Sequence, residues 1–173
     1  MRNIGILLLL TSVVLPVQGQ VHRHSDKKPT LESIQTAYKM AEEVFANLKA
    51  NKTQEVADWM VSQIGKTWDA STKLRNTNEY KSKLDAIAIS PPAGDWGKLS
   101  GYDLIDETYL PGSDRFFRLL YISYHEGAPV LWEFRFYVTN AHDVTLNAMS
   151  WVVKDPFEFL SESRMLINKF YDQ

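Results

Sequence analysis

The sequence predicts an α+β domain in which helices precede a curved antiparallel sheet. Two observations lead to this prediction. Between Leu31 and Ile87 the apolar residues recur at spacings of three and four, as they do on one face of a helix. After "SPPAG" (Ser90 to Gly94) the pattern changes to alternating apolar and polar residues, which is typical of half-buried strands. Helices followed by consecutive strands form the element order of an α+β domain.

Three helices are predicted before the break. Thr30 is the expected N-cap of the first helix, because its hydroxyl can accept from a free backbone N–H of the first turn. Thr53 is the expected cap of a second helix that ends at Gly65. A third helix is expected over residues 78–87, and the prolines of "SPPAG" end it because proline cannot continue a helix.

Four strands are predicted after the break, at about residues 101–110, 115–125, 130–139 and 144–154. The turns "PGSD", "EGAP" and "NAHD" separate them, which predicts a four-stranded meander. Asp155 and Pro156 then have the residue types of a helix start, so a C-terminal helix is expected.

The turns also predict which strand residues face each other. Around "EGAP" the expected pairs are His125–Val130, Ser123–Trp132, Tyr121–Phe134 and Leu119–Phe136. These residues form an apolar face, which we expect to pack on the helices. The same reasoning pairs Glu107 with Arg118 on the opposite face and Trp132 with Trp151 and Phe134 with Met149 on the apolar face.

The first nineteen residues have the organisation of a secretory signal peptide. Arg2 precedes an apolar run from Ile4 to Val14, and Val17 and Gly19 are suitable for a cleavage site. We therefore expect a signal peptide over residues 1–19, a flexible lead-in over 20–29 and one domain over 30–173, in a secreted or periplasmic protein. The alternative is an uncleaved N-terminal anchor; after cleavage no stable membrane anchor is expected.

Composition excludes several function classes. The formal net charge is −2, and it becomes −3 when Arg2 is removed, so nucleic acid is not an expected partner. The chain has no cysteine, which excludes a thiol nucleophile and a thiolate metal site. No cofactor is expected. A candidate metal ligand is His22, which would bind copper together with a free N-terminus at Gln20 if cleavage follows Gly19.

The pattern "FRLLYISYHEGAPVLWEFRFYV…TLNAMSWVV", together with the order and lengths of the elements, resembles the nuclear-transport-factor-2-like, or cystatin-like, superfamily. The resemblance covers nearly all of the chain after the signal peptide. It implies a curved sheet that forms a cone around a long helix and encloses a cavity. It also favours a homodimer through the sheet, while it leaves the function open, because such folds include enzymes and non-catalytic proteins.

Candidate catalytic residues come from the predicted inner face. Asp106 would lie beside Leu119 and Phe136, where burial raises the pKa of a carboxyl group and suits it to proton transfer. Tyr121 and His125 would assist it. The alternative is that a bulge or a slip of one residue places Asp106 on the acidic outer edge.

Two further surfaces are predicted from the same register. The expected cavity lining consists of Tyr102, Ser123, Trp132, Phe134, Asn147 and Trp151. The aromatic members would otherwise be ordinary core. The expected partner surface on the outer face consists of Arg118, Tyr124, Glu133, Arg135 and Tyr137. Its mixture of charged and aromatic residues is typical of interfaces, and the alternative is an ordinary solvated face.

The first interpretation of function is a non-catalytic exported protein. It would bind a small apolar ligand in the cone or a protein partner through its sheet. An isomerase or dehydratase that uses the buried carboxylate is the second interpretation. The third is a structural subunit that docks through the segment "DPFEFLSESRMLINKFYDQ", which follows the last strand.

Overall fold

The computed structural model describes residues 27–91 and 94–153 as three helices and one antiparallel sheet. The helices are α1 (Leu31–Lys49), α2 (Thr53–Ile64) and α3 (Ala70–Ala88). The strands are β1 (Leu99–Tyr109), β2 (Phe116–His125), β3 (Pro129–Val138) and β4 (Val144–Val152), in the spatial order β1-β2-β3-β4. The α+β class and the four-stranded meander are therefore as predicted. The signal peptide, most of the lead-in and the C-terminal helix lie outside the described residues.

The helix starts show which capping predictions hold. Thr30 caps α1, and its hydroxyl accepts from the backbone N–H of Ser33 at 3.2 Å. The cap predicted at Thr53 is wrong: Lys52 is the N-cap of α2, and the Thr53 hydroxyl instead donates to the Asp85 carboxylate of α3. Helix α3 begins eight residues earlier than predicted, because Asp69 caps it by accepting from Thr72 N–H at 2.8 Å.

The β2–β3 hairpin has the predicted faces but a different register. Ser123 pairs with Val130, Tyr121 with Trp132 and Leu119 with Phe134, so each pair is displaced by two residues from the prediction. A displacement of two residues leaves every side chain on its predicted face. Tyr124 pairs with Pro129, so the loop starts at His125 rather than at Glu126, and it bonds to the segment before β1: Gly127 N–H donates to the Trp96 carbonyl at 2.7 Å, and the His125 ring bonds to the Gly97 carbonyl.

Strand β1 contains a bulge between Leu104 and Asp106 that changes the predicted faces. Before the bulge Tyr102 pairs with Ser123, and after it Glu107 pairs with Leu119. The predicted pair Glu107–Arg118 is therefore wrong, since Arg118 faces Thr108. One extra residue in an edge strand turns the following side chains to the opposite face.

Strands β3 and β4 pair as predicted at Trp132–Trp151 and Phe134–Met149. Their register shifts after Arg135, so Phe136 pairs with Leu146. The shift leaves Asn147 exposed, and the prediction that Asn147 lines an inner cavity is wrong.

The core lies between the helices and the inner face of the sheet. Phe45 of α1 sits at its centre, with ring centroids 5.6 Å from Trp132 and 5.8 Å from Phe134. Both β3 residues are fully buried, as is Phe136. Close packing of large aromatics holds α1 on the sheet, and burial of each ring contributes about 1.5–3 kcal/mol.

Among the described residues, no helix is long and apolar enough to cross a membrane.

Candidate functional site

A groove between α1 and α2 is a concave site that the described residues form. The two helices are joined by only Ala50–Lys52, and Asn51 takes a left-handed conformation at φ 59°, which asparagine tolerates better than most residues. Lys52 N–H bonds back to the Asn47 carbonyl at 2.9 Å. The short turn keeps the helices side by side, and the groove between them has a volume of about 290 Å³. Its lining residues are Met40, Glu43, Val44, Asn47, Glu55, Val56 and Trp59.

The groove has an apolar floor and an acidic rim. Val44 and Val56 are buried beneath it, and the half-buried side chains of Met40 and Trp59 line it. Glu43 and Glu55 are exposed, and neither carboxylate forms an ion pair with any residue in the described part of the chain. The groove therefore offers two carboxylates without ion-pair partners among the described residues, beside an indole ring, and this combination attracts an organic cation.

A buried hydrogen-bond chain connects β3, β2 and the segment before β1. The Trp132 indole N–H donates to Ser123 Oγ at 2.6 Å, and Ser123 Oγ lies 2.8 Å from His125 Nε2. His125 Nδ1 lies 3.0 Å from the Gly97 carbonyl. Because a carbonyl only accepts, Nδ1 carries the proton, and Nε2 accepts from the Ser123 hydroxyl. Burial lowers the pKa of His125, although the Gly97 carbonyl opposes this, so the ring is neutral at pH 7.

The hydrogen-bond chain places Ser123 beside His125, as a nucleophilic serine lies beside its general base, but both residues are buried. Ser123 has no exposed surface, and the group that orients His125 is a backbone carbonyl rather than a carboxylate. A nucleophile needs access to substrate and a base oriented for proton transfer. The arrangement satisfies three buried polar side chains and orders the loop, and it does not present a reactive oxygen.

A cluster of tyrosines and glutamates lies where α1 meets β1. We call it the tyrosine–glutamate seam, and its members are Tyr38, Glu42, Tyr102, Glu107 and Tyr121. The Tyr38 hydroxyl donates to the Glu107 carboxylate, and Tyr102 stacks on Phe45 with centroids 4.4 Å apart. Burial raises the pKa of Glu107 and of Tyr38. Burial, followed by the charge of Glu42, also raises the pKa of Tyr121, so these tyrosines stay protonated donors.

The placement predicted for Asp106 is wrong. The β1 bulge turns Asp106 to the outer face, where Thr108 donates to its carboxylate at 2.9 Å and the Arg118 guanidinium lies 3.4 Å away. Glu107, one residue later, occupies the inner position and has the raised pKa that was expected of Asp106. The catalytic hypothesis for Asp106 loses its geometric basis, while Tyr121 and His125 do lie on the inner face.

The residues predicted to line an inner cavity have mixed positions. Tyr102 lies on the inner face but at its open edge, and 36% of it is exposed. Trp132 packs between Phe45 and Trp151, whose ring centroid is 5.4 Å away. Trp132 and Phe134 have no exposed surface, so they fill the space that the ligand hypothesis left open. These two residues are core.

The outer face carries an ion-pair network at the predicted partner surface. Arg135 binds the Glu133 carboxylate through Nε at 3.0 Å and NH2 at 2.8 Å, and Arg118 approaches it at 3.5 Å. Burial raises the pKa of Glu133, but the two guanidinium groups outweigh this and the net pKa is lowered. Tyr124 is exposed, and its hydroxyl donates to Asp103 at 2.8 Å. Tyr137 is half-buried, with its ring 4.9 Å from Phe116.

The described residues contain no group of three His, Asp or Glu side chains placed to hold a metal ion. His22, the candidate copper ligand, lies outside them.

Comparison of the chain with models of protein families, with curated proteins and with solved structures finds no match.

Sequence reasoning did not find the groove. Val44 and Val56 are buried residues of α1 and α2, and helical periodicity does not distinguish the floor of a groove from ordinary core. The available signal was that Glu43 and Glu55 lie on either side of a short helix–helix turn, near Met40 and Trp59. A carboxylate on each helix beside that turn is brought to the same groove when the helices pack side by side.

Proposed function

We propose that this chain is an exported, non-catalytic binding protein that holds a small organic cation in the groove between α1 and α2. The observation that supports the proposal is a pair of carboxylates, Glu43 and Glu55, above the apolar floor of the groove. Neither carboxylate has an ion-pair partner among the described residues. This changes the expected ligand from a purely apolar molecule to an amphipathic cation.

The groove chemistry specifies the ligand class. An ammonium or guanidinium group would pair with Glu43 and Glu55 and lie near the face of Trp59. Its aliphatic stem would cover Val44 and Met40. A volume of about 290 Å³ is at the lower end of small-molecule sites. A butyl chain with one cationic head group therefore fits the groove better than a larger molecule.

The packing of the catalytic candidates supports a non-catalytic function. Ser123 and Tyr121 are buried, and the side-chain nitrogens of His125 are both hydrogen-bonded inside the protein. No buried side-chain nitrogen or oxygen in the described part of the chain lacks a hydrogen-bond partner. A general acid or base must lie within hydrogen-bond reach of the substrate atom on which it acts, and enclosed side chains do not meet this requirement.

We also propose that the protein is exported and that its sheet belongs to a cystatin-like, cone-shaped fold with a C-terminal helix. Export is supported by the apolar run and cleavage pattern of residues 1–19. The fold proposal is supported by the meander order and by the position of α1 against the inner face. Alpha-helical packing on one face of a meander is shared by several folds, so the proposal rests on the order and lengths of the elements.

Isothermal titration of the protein with n-butylguanidinium tests the proposed function, with n-butylurea as the neutral isostere. We expect saturable binding of the guanidinium compound and none of the urea. Glu43→Gln combined with Glu55→Gln should weaken binding at least about tenfold, the effect of roughly 1.4 kcal/mol. The matched control is Asp114→Asn combined with Asp143→Asn, which removes the same charge from exposed loops.

The control decides between a site and a general charge effect. Equal weakening by the control pair would show that only net charge attracts the ligand and would contradict the proposal. Equal binding of n-butylurea would also contradict it, because the carboxylates would then have no part in recognition. Trp59→Leu should weaken binding of the guanidinium compound while it keeps the groove apolar.

A further inference from the structure

The centre of the outer sheet face is closed to solvent, although the described helices lie on the other side of the sheet. Leu120 of β2 is 0% exposed and Leu131 of β3 is 2% exposed. Both leucines are absent from the cluster that the helices form with the inner face. Their neighbours Leu119 and Trp132 belong to that cluster, as the alternation of a strand requires.

Side chains of the sheet itself do not account for this burial. The flanking outer-face residues are Arg118, Ile122 and Glu133, and strand neighbours on an open face leave the top of a leucine in contact with water. Complete removal of Leu120 from solvent requires a further layer above it. The described helices pack on the inner face, so the candidates for that layer are the segments outside residues 27–91 and 94–153.

The position of the chain ends identifies the segment. Val152, the last residue of β4, pairs directly with Leu131, so the chain leaves the sheet beside the buried leucines. Residues 154–173 follow. The N-terminal segment instead enters through Thr30 into α1, in the layer on the inner face.

The sequence after β4 has the composition of a covering element. Asp155 and Pro156 have the residue types of a helix start, and apolar residues follow at helical spacings of three, seven and four in Phe157, Leu160, Ile167 and Tyr171. A helix of this length spans roughly 25–30 Å, comparable to a strand of ten residues. One apolar face of it matches the length of β2 and β3.

We propose that residues 154–173 fold back over the outer face of the sheet and cover Leu120 and Leu131. The occupant of this face is then the chain's own C-terminal segment. Arg135, whose side chain is 55% exposed, lies at the rim of the same face.

The absence of native cysteine permits a direct accessibility test in the full chain. A thiol is introduced by Leu120→Cys or, as the matched control on the adjacent inner position, by Leu119→Cys. Each is placed in the native background and in a background with Leu160→Asp and Ile167→Asp, and its rate of reaction with a thiol reagent is measured. We expect the thiol at position 120 to become at least about tenfold more reactive in the second background, and the thiol at 119 to stay protected.

Unchanged reactivity at position 120 would overturn the proposal. If both positions become reactive together, the substitutions have unfolded the domain, and a second measurement decides. A nitroxide attached through Asn168→Cys, with no other change, should broaden the amide signals of Leu120 and Leu131 more strongly than those of Val56 and Leu84 in the helix layer. Stronger broadening in the helix layer would overturn the proposal.

Discussion

The Tyr38 hydroxyl of α1 donates a hydrogen bond to the Glu107 carboxylate of β1. This contact exists because the bulge between Leu104 and Asp106 turns Glu107 toward the helices. Without the bulge Asp106 would have faced α1, and its shorter side chain would have taken the place of Glu107 in the tyrosine–glutamate seam. The bulge thus selects which acidic residue of "DLIDE" is desolvated.

Replacing Tyr38 by Phe should raise the pKa of Glu107 further. Burial already raises that pKa, and the tyrosine hydroxyl stabilises the charged carboxylate, so its removal disfavours ionisation. A folded pKa above the unfolded value means that the stability from Glu107 is present below about pH 4.5 and is lost as the pH rises through the folded pKa. Carbon-13 NMR titration of the glutamate carboxyls measures the pKa; Tyr124→Phe, on the exposed outer face, is the control. A fall in the pKa of Glu107 in the Tyr38→Phe protein would refute the assignment.

Replacing Ser123 by Ala should destabilise the fold by about 2–4 kcal/mol. The substitution leaves the Trp132 N–H and the His125 Nε2 buried without their partner, and each unsatisfied group costs about 1–3 kcal/mol. Urea unfolding followed by tryptophan fluorescence gives the free energy. The control is Ser150→Ala on the exposed part of β4, which should change it by less than about 0.5 kcal/mol. Similar losses of unfolding free energy in the two variants would show that the buried hydrogen-bond chain stabilises the fold no more than an exposed hydroxyl does.

The stability of the protein should fall as the pH drops below about 6.5 because of His125. Burial lowers the pKa of this histidine, so the unfolded chain binds a proton before the folded chain does, and acid favours unfolding. The loss continues until the pH passes the folded pKa. Urea unfolding between pH 8 and pH 5 should show this slope in the native protein and a smaller one after His125→Gln. Identical slopes in the two proteins would contradict the burial of a neutral imidazole.

Replacing Gly97 by Ala should destabilise the protein by about 1–3 kcal/mol. Gly97 has φ +82°, a Cβ there would collide with the Glu126 side chain, and its carbonyl orients His125. Gly101→Ala is the matched control, because a Cβ at that site meets only Tyr124 at 3.9 Å. Thermal unfolding should separate the two variants by several degrees. Equal melting temperatures would mean that the backbone at Gly97 relaxes freely.

Much of the architecture could be predicted because it follows from local patterns. Alternation in β2 and β3 fixed their faces, since period two survives even a register error of two residues. Thr30 identified the start of α1. The polar first half of α3 was missed because helix α3 buries only Thr77, Leu84, Ile87 and Ala88, which gives little apolar periodicity before Thr77.

The candidate site could not be predicted in the same way. No sequence motif marks the bulge in β1, and the bulge places Glu107 instead of Asp106 on the inner face. The groove depends on how closely two helices approach, which apolar periodicity does not specify. His125 was expected to assist Asp106, whereas its ring bonds to the Gly97 carbonyl and is buried.

A nitrogen-15 NMR titration of the protein with n-butylguanidinium locates the ligand residue by residue. We expect a saturable shift of the Trp59 indole signal, with backbone shifts confined to α1 and α2 around Glu43 and Glu55. The Trp132 indole, buried in the core, should not move. Shifts of equal size at Trp132, or no shift at Trp59 with millimolar ligand, would contradict the groove as the binding site.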